Sequence, residues 1–430
     1  MDRSLVAVLF GTFTLRFSTS LTGTMLIYYL AELPKHGGEE VSPIALGVMA
    51  VAFYAAELVL APPFGALSDR LGHHRVMQWG PAFGGVASIL TFATTNLALL
   101  GGTRILEGAS TAASVPSILG FIAMATAASI VLRGKTVARF EAATLSGLGA
   151  GVVVAGPLYQ VFGRTAFLLN AGVYVVSFLI YRFGVADPEG DQQAAQAARS
   201  GHYGWRRYST VLTSSHVWLL APTWIAINAC LGIATNQTLF QLVKQPDPRF
   251  ADQFLMGRIT PTLISIGFVI GGLVFFGGLF YWGNRFKSMR RTTIIFYGIL
   301  GGATIVIAAA LLNHSEGQPL PLQLAYGAAV IAGVFVLAGA TPAALGLLAD
   351  ISETYPTDRG VIMGLYSVFL ALGQIIGSLL GGVAAQIRGI DGLLIATMIL
   401  LAVALVPLSR LRTYEHIVGT VAADRSPSAG

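Results

Sequence analysis

Hydrophobic and polar positions alternate along this chain in long blocks, not with the short periods of amphipathic helices or strands. Twelve apolar blocks can be drawn, over 5–31, 43–67, 76–96, 98–127, 138–163, 165–184, 215–241, 255–282, 292–313, 322–350, 360–386 and 390–409. A hydrocarbon core about 30 Å thick is crossed by roughly 20 apolar helical residues, so each block predicts one crossing. The backbone of a crossing segment must satisfy its own hydrogen bonds, which leaves helices as the expected element. The longest polar interval, 185–214, holds Asp187, Glu189 and Asp191 and an Ala/Gln-rich run. It divides the chain into an N-terminal six-helix bundle (1–184), a cytoplasmic central loop (185–214), a C-terminal six-helix bundle (215–412) and a tail (413–430). The expected fold class is an all-α membrane protein.

Charge adds orientation to this pattern. If odd-numbered segments run outward, most of the 26 basic residues fall on the inner side, among them Arg70, Arg75, Arg133, Lys135, Arg139, Arg285 and Arg290. The outer loops and helix ends keep Lys35, Arg164, Lys244, Arg249, Arg258 and Arg388, so both termini are expected in the cytoplasm. Composition agrees: 54% of residues are hydrophobic, 11% are charged and the mean hydropathy is +0.71, which excludes a soluble globular protein. The net charge of +6 is explained by these loops, so no nucleic-acid partner is expected. Cys230 is the single cysteine, so no intrachain disulfide can form. The first apolar run is too long for a signal peptide and has no small-residue cleavage pattern. It is expected to be a crossing helix, and without a targeting peptide the expected location is a prokaryotic plasma (inner) membrane.

Between the second and third segments lies Gly65-Ala66-Leu67-Ser68-Asp69-Arg70-Leu71-Gly72-His73-His74-Arg75. It is expected to be a polar turn outside the bilayer, its glycines allowing a tight reversal. A degenerate copy follows 215 residues later, where Arg285 corresponds to Arg70 and Arg290 to Arg75, with Asn284 in place of the acid. Gly156 likewise has a counterpart at Gly377. The pattern Gly-x-Leu-x-Asp-Arg-x-Gly-x-x-Arg resembles the loop signature of the major facilitator superfamily. That resemblance implies two pseudo-symmetric six-helix bundles with a substrate site between them. It also implies that Asp69 meets the start of the eleventh helix in one state, with Gly65, Gly72, Arg70 and Arg75 shaping the gate and Asp350, Glu353 and Asp358 as partners for the arginines. Leu100-x-x-x-Arg104-x-x-Glu107-Gly108 with Ala112 resembles a signature of the drug-proton antiporter branch. Gly147, Gly151, Gly156 and Pro157 partly match that branch's glycine-rich motif, although Gln160-Val161 stands where a glycine pair is usual. The other reading of these glycines is close helix packing.

Ionisable residues inside a bilayer cost about 2.5–3.5 kcal/mol each, so each needs a partner or a role. Arg16 and Glu57 lie at similar depth in the first two segments, and Arg104 and Glu107 share one face of the fourth. Burial favours the neutral form of such a carboxylate and a guanidinium the charged form, so these four are the candidates for proton coupling. The alternative is two permanent ion pairs. Candidate cavity residues are Ser20 and Tyr54 with Thr19, Gly23 and Tyr28 in the first half, and Asn228, Asn236, Gln237, Gln241, Trp224 and Gln374 with Ser367 and Ser378 in the second. The alternative is that these side chains satisfy one another across helix contacts. No Gly-x-x-x-x-Gly-Lys-Ser/Thr, His-Glu-x-x-His or CxxC occurs, so no enzyme, metal or cofactor is expected. His73 and His74, being adjacent, point to different sides.

The expected function is secondary transport by alternating access: proton-coupled export of a small amphipathic molecule by a monomer. Two alternatives remain, namely uptake or facilitated exchange of a polar metabolite, and a non-transporting membrane assembly factor of the same ancestry.

Overall fold

A computed structural model describes residues 3–126, 129–186, 217–353 and 359–423, and all regular structure in these is helical. The central loop and the end of the tail therefore lie outside the described residues. In chain order the helices are α1 Arg3–Ala31, α2 Pro43–Leu71, α3 His73–Met77, α4 Trp79–Ala93, α5 Leu97–Ala125, α6 Ile130–Phe162 and α7 Ala166–Gly184. They continue with α8 Val217–Gly232, a π-helical turn Ile233–Thr238, α9 Leu239–Val243, α10 Pro261–Asn284, α11 Arg291–Asn313, α12 Leu320–Leu337, α13 Ala340–Glu353 and α14 Arg359–Ala423. Local sequence explains the starts. Ser42 Oγ accepts from Ala45 N at 3.1 Å with Pro43 at the first position, and Asn96 Oδ1 accepts from Ala98 N and Leu99 N.

Eight stretches among the described residues are long and apolar enough to cross a membrane. The difference from twelve has structural causes. Leu132–Gly184 and Ser367–Thr413 are continuous runs of 53 and 47 residues, broken by the 3₁₀ turn at Gly163–Thr165 and by non-helical backbone at Arg388–Gly389. The third expected segment is short at 15 residues, and the seventh is interrupted by the π turn.

Two expectations need correction. Gly65 to Arg70 do not form a turn: they are the last two turns of α2, because nothing stops the helix before Gly72. The reversal occurs at Gly72 itself, where φ is 97°, a conformation glycine adopts without a Cβ penalty. Second, the helix expected to begin at 138 begins at Ile130, capped by Ser129 Oγ accepting from Leu132 N at 3.2 Å.

The chain forms two compact units. The first comprises Met1–His202, Val243–Gln245 and Ile259–Phe268; the second comprises Tyr203–Leu242, Pro246–Arg258 and Val269–Gly430. In the first, α1 packs along α6 and α7, and α2 along α5. Its core includes Leu5, Leu15, Met77, Phe121, Tyr174 and Tyr181. In the second, α8 and α11 pack on α14, and α11 on α12, around Trp224, Ile295, Leu347, Phe369 and Leu401.

The α2–α5 contact is close because Gly108 has no side chain. A Cβ there would overlap the Phe53 carbonyl oxygen and stand 2.8 Å from Ala56 Cβ. Backbone atoms cannot yield as a rotamer can. Gly108→Ala is expected to destabilise the protein by about 1–3 kcal/mol and lower the thermal unfolding temperature in detergent. Gly102→Ala, with no atom within 4 Å of the added Cβ, is expected to leave it unchanged.

Candidate functional site

Five charged residues on α1, α2, α5 and α6 form two groups that differ in geometry. Arg104 and Glu107, one helical turn apart on α5, make a direct ion pair through Nη1 and Oε2. Glu107 is fully buried and Arg104 nearly so, with its guanidinium 4.5 Å from the Phe53 ring centroid. Around them Asn170 Nδ2 donates to Ser18 O at 2.9 Å and to Thr22 Oγ1 at 2.5 Å, and Tyr174 OH donates to Thr19 Oγ1 at 3.5 Å. Glu107 Oε1 has no hydrogen-bond donor. Arg104 Nη1 also passes over Gly23, 3.9 Å from where a Cβ would sit.

The second group centres on Arg16 of α1. It acts electrostatically on Glu57 of α2 and on Glu141 of α6, and forms a direct ion pair with neither. Half-buried Tyr54 lies between the groups, close enough to feel both Arg104 and Glu57. Two glycines on α6 let α1 approach: a Cβ at Gly147 would meet Phe13 O and Arg16 Cβ, and one at Gly151 would meet Phe17 O and Ser20 Cβ. Ser20 Oγ donates to Leu148 O at 2.8 Å and Thr19 Oγ1 to Leu15 O at 3.0 Å. Sequence spacing alone does not single out Glu141, which is exposed on α6. A helix beginning at 138, as hydropathy predicts, puts this acid at the membrane edge. The Ser129 cap was the signal that moves the start back and places Glu141 eleven residues into α6.

Counted together, this region has two guanidiniums and three carboxylates. With all five ionised one negative charge is in excess, and the exposed position of Glu141 leaves part of it to solvent.

The remaining candidates scatter. Tyr28 is fully buried against Tyr159, with ring centroids 5.9 Å apart. In the second unit Asn228 Nδ2 donates to Trp224 O at 2.8 Å, Gln237 Nε2 to Ser378 O at 3.4 Å and Asn236 Nδ2 to Gly232 O at 3.3 Å. Asn228, Gln237, Gln241, Gln374 and Ser378 are all buried, and Ser367 is exposed. Asn228, Gln237, Gln374 and Ser378 form a polar seam between α8 with its π turn and α14, where a Cβ at Gly232 or Gly377 would strike the facing helix. The π turn carries Asn236 and Gln237; a π turn shifts the register by one residue and recurs at functional sites.

At the end of α2, Asp69, Arg70 and Arg75 are exposed. His73 and His74 are buried: His73 Nδ1 lies 3.0 Å from Ser68 Oγ and His73 Nε2 3.7 Å from Asp69, while His74 Nε2 lies 2.9 Å from Tyr181 O. Asp358 lies outside the described residues, as do the side chains of Asp350 and Glu353. Gly156 is pressed on the start of α10, its amide donating to Ser265 Oγ at 3.2 Å, and Pro157 beside it is exposed. A cleft of about 900 Å³ in the first unit, lined by Glu39, Met49, Asn96, Gly101 and Ile105, contains none of the charged candidates.

Comparison with known proteins agrees with this architecture. Quinolone resistance protein NorA from Staphylococcus aureus (strain MSSA476) is 23% identical over 387 residues, covering 89% of this chain and 90% of the relative. Multidrug resistance protein 1 from Bacillus subtilis (strain 168) is 24% identical over 354 residues, covering 80% and 82%. The crystal structure of nucleoside transporter NupG superposes with a TM-score of 0.71 over 96% of this chain and 99% of that one, at 12% identity, a likeness of fold. The family model of the Major Facilitator Superfamily matches residues 8–350. With its helices, its apolar crossings and a family match over most of its length, the chain belongs to the Major Facilitator Superfamily and is a membrane transporter, not an enzyme.

Proposed function

We propose that this transporter is a proton-coupled exporter of small amphipathic cations. It works by alternating access as a monomer with twelve crossings in two six-helix bundles and both termini in the cytoplasm of a plasma membrane. The observation that carries the reading is the Arg16–Glu57–Glu141 group. One guanidinium is shared by two carboxylates without a direct ion pair; Glu141 is exposed and Glu57 partly buried, so a proton or a cationic substrate taken up beside Glu57 balances the charge there. The two occupants compete for the same deficit, and competition of this kind is what exchange requires. A low-dielectric surrounding sharpens it, because an uncompensated charge there is costly. The relatives named for quinolone and multidrug resistance support export of such compounds.

Within this reading Arg104–Glu107 has a different role. Its direct contact and complete burial suit a permanent pair that holds α5 in place and presents Arg104 to Tyr54. The coupling group is then Glu57, with Arg16 as its counter-charge and Glu141 as the second acid. In the second unit Asn228, Gln237 and Gln374 are buried in the contact of α8 and the π turn with α14 and hold these elements together.

Two measurements separate these roles. In proteoliposomes with an internal pH dye, a lipophilic cation is expected to drive proton movement by the wild type. Glu57→Gln is expected to reduce it at least tenfold, while sugars and organic acids drive none. Solute movement without protons would instead identify a facilitator. For the structural pair, Glu107→Leu is expected to cost about 3–5 kcal/mol, the penalty for stranding a buried charge, read as a lower unfolding temperature. Arg104→Met combined with Glu107→Leu is expected to regain most of that loss; a double variant no better than the single would remove the pair from its assigned role.

A further inference from the structure

Three connecting turns of the second unit meet at one of its ends: residues 246–258 before α10, the turn after α11 and the break at Arg388–Gly389 within α14. Each contributes one metal-ligating side chain. Asp252, His314 and Asp391 offer ligand atoms that all lie within 4.8 Å of one another. His314 Nε2 is 2.9 Å and 3.1 Å from the two carboxylate oxygens of Asp391, and His314 Nδ1 is 3.7 Å from Asp252 Oδ2. These residues take no part in the charged groups of the first unit.

The backbone beneath the trio is fixed by two buried amides. Asn313 is fully buried; its carbonyl accepts from Phe254 N at 2.7 Å, its Oδ1 accepts from Leu255 N at 3.2 Å and its Nδ2 donates to Asp391 Oδ1 at 2.9 Å. Gln253, also buried, donates from Nε2 to Arg388 O at 2.8 Å and accepts at Oε1 from Ile390 N at 2.7 Å. The positions of Asp252 and Asp391 are thus set by their immediate neighbours, and the Asn313 amide orients one carboxylate as outer-shell groups orient metal ligands.

From this arrangement we infer that Asp252, His314 and Asp391 bind a divalent transition-metal ion. One imidazole with two carboxylates is a donor set that Zn²⁺, Mn²⁺ and Co²⁺ accept. Bonds of about 2.0–2.2 Å in tetrahedral geometry place ligand atoms about 3.4 Å apart, a spacing that the three ligand atoms, all within 4.8 Å of one another, reach by small side-chain rotations. The two approaches use opposite ring nitrogens, so binding turns the ring until one nitrogen faces both acids. At 43% exposure the imidazole has room to turn, and Asp252 at 70% exposure can follow. Solvent supplies the remaining ligands. Bound metal ties the three turns together and neutralises two carboxylates.

Isothermal titration of tag-free, full-length protein in detergent with Zn²⁺ alone tests the site. The wild type is expected to bind one equivalent. His314→Ala and Asp391→Asn are each expected to weaken binding at least tenfold, as is Asp252→Asn, whose exposed position spares the fold. His36→Ala, on a different turn in the first unit, is expected to bind as the wild type does. Co²⁺ in place of Zn²⁺ is expected to give visible d–d absorption that His314→Ala lacks. No Zn²⁺ heat in the wild type overturns the assignment. So does binding that survives His314→Ala and Asp252→Asn in protein whose unfolding temperature shows it is folded.

Discussion

The cost of charge in a medium without water organises this molecule. An Arg or Glu at the centre of a crossing helix is unfavourable by a few kcal/mol unless something opposes it, and the first unit meets that cost in two ways. Arg104 and Glu107 oppose each other directly, one turn apart, under the Phe53 ring. Arg16 is shared at longer range by Glu57 and Glu141. The first solution is closed, since each charge has its partner. The second leaves one negative charge over, and transport in the proposed reading consists of which cation supplies the balance.

Helix packing makes that geometry available. Charged groups on different helices interact only if the helices approach closely, and here glycine sets the approach. Gly108 brings α5 against α2 beside Glu57, and Gly147 and Gly151 bring α6 against α1 beside Arg16 and Ser20. The glycines that resemble an antiporter signature are therefore also packing residues, and the two readings are compatible: close packing is how the charged groups come within range. The same logic operates in the second unit, where Gly232 and Gly377 seat α8 on α14 along a seam of amides.

The motif at the end of α2 shows where a motif read as sequence misleads about conformation. A charged string between apolar blocks looks like a loop, yet Ser68, Asp69 and Arg70 continue α2 to its last turn. Helical hydrogen bonding does not end where hydropathy does. It ends where a residue with positive φ interrupts it, and Gly72 is that residue. The adjacent histidines are then drawn inside, with His73 against Ser68 and His74 against the Tyr181 carbonyl, as neighbours in a short helix pointing to different sides.

By itself the sequence determined the membrane class, the helical fold and the family resemblance, because block hydropathy and the need to satisfy backbone groups in lipid are properties of composition and spacing. It also determined that Arg104 could reach Glu107, since i and i+3 share a helical face. It could not reveal that Glu141 belongs with Arg16 or that Asp252, His314 and Asp391 meet: those residues are separated by tens to more than a hundred positions. Nor could it show that Asn228 and Gln237 turn into a helix contact. Only the tertiary structure decided these, because which residues of distant helices and turns become neighbours depends on the packing of whole helices, on the glycines that allow close approach and on the buried amides of Gln253 and Asn313 that fix one turn against another.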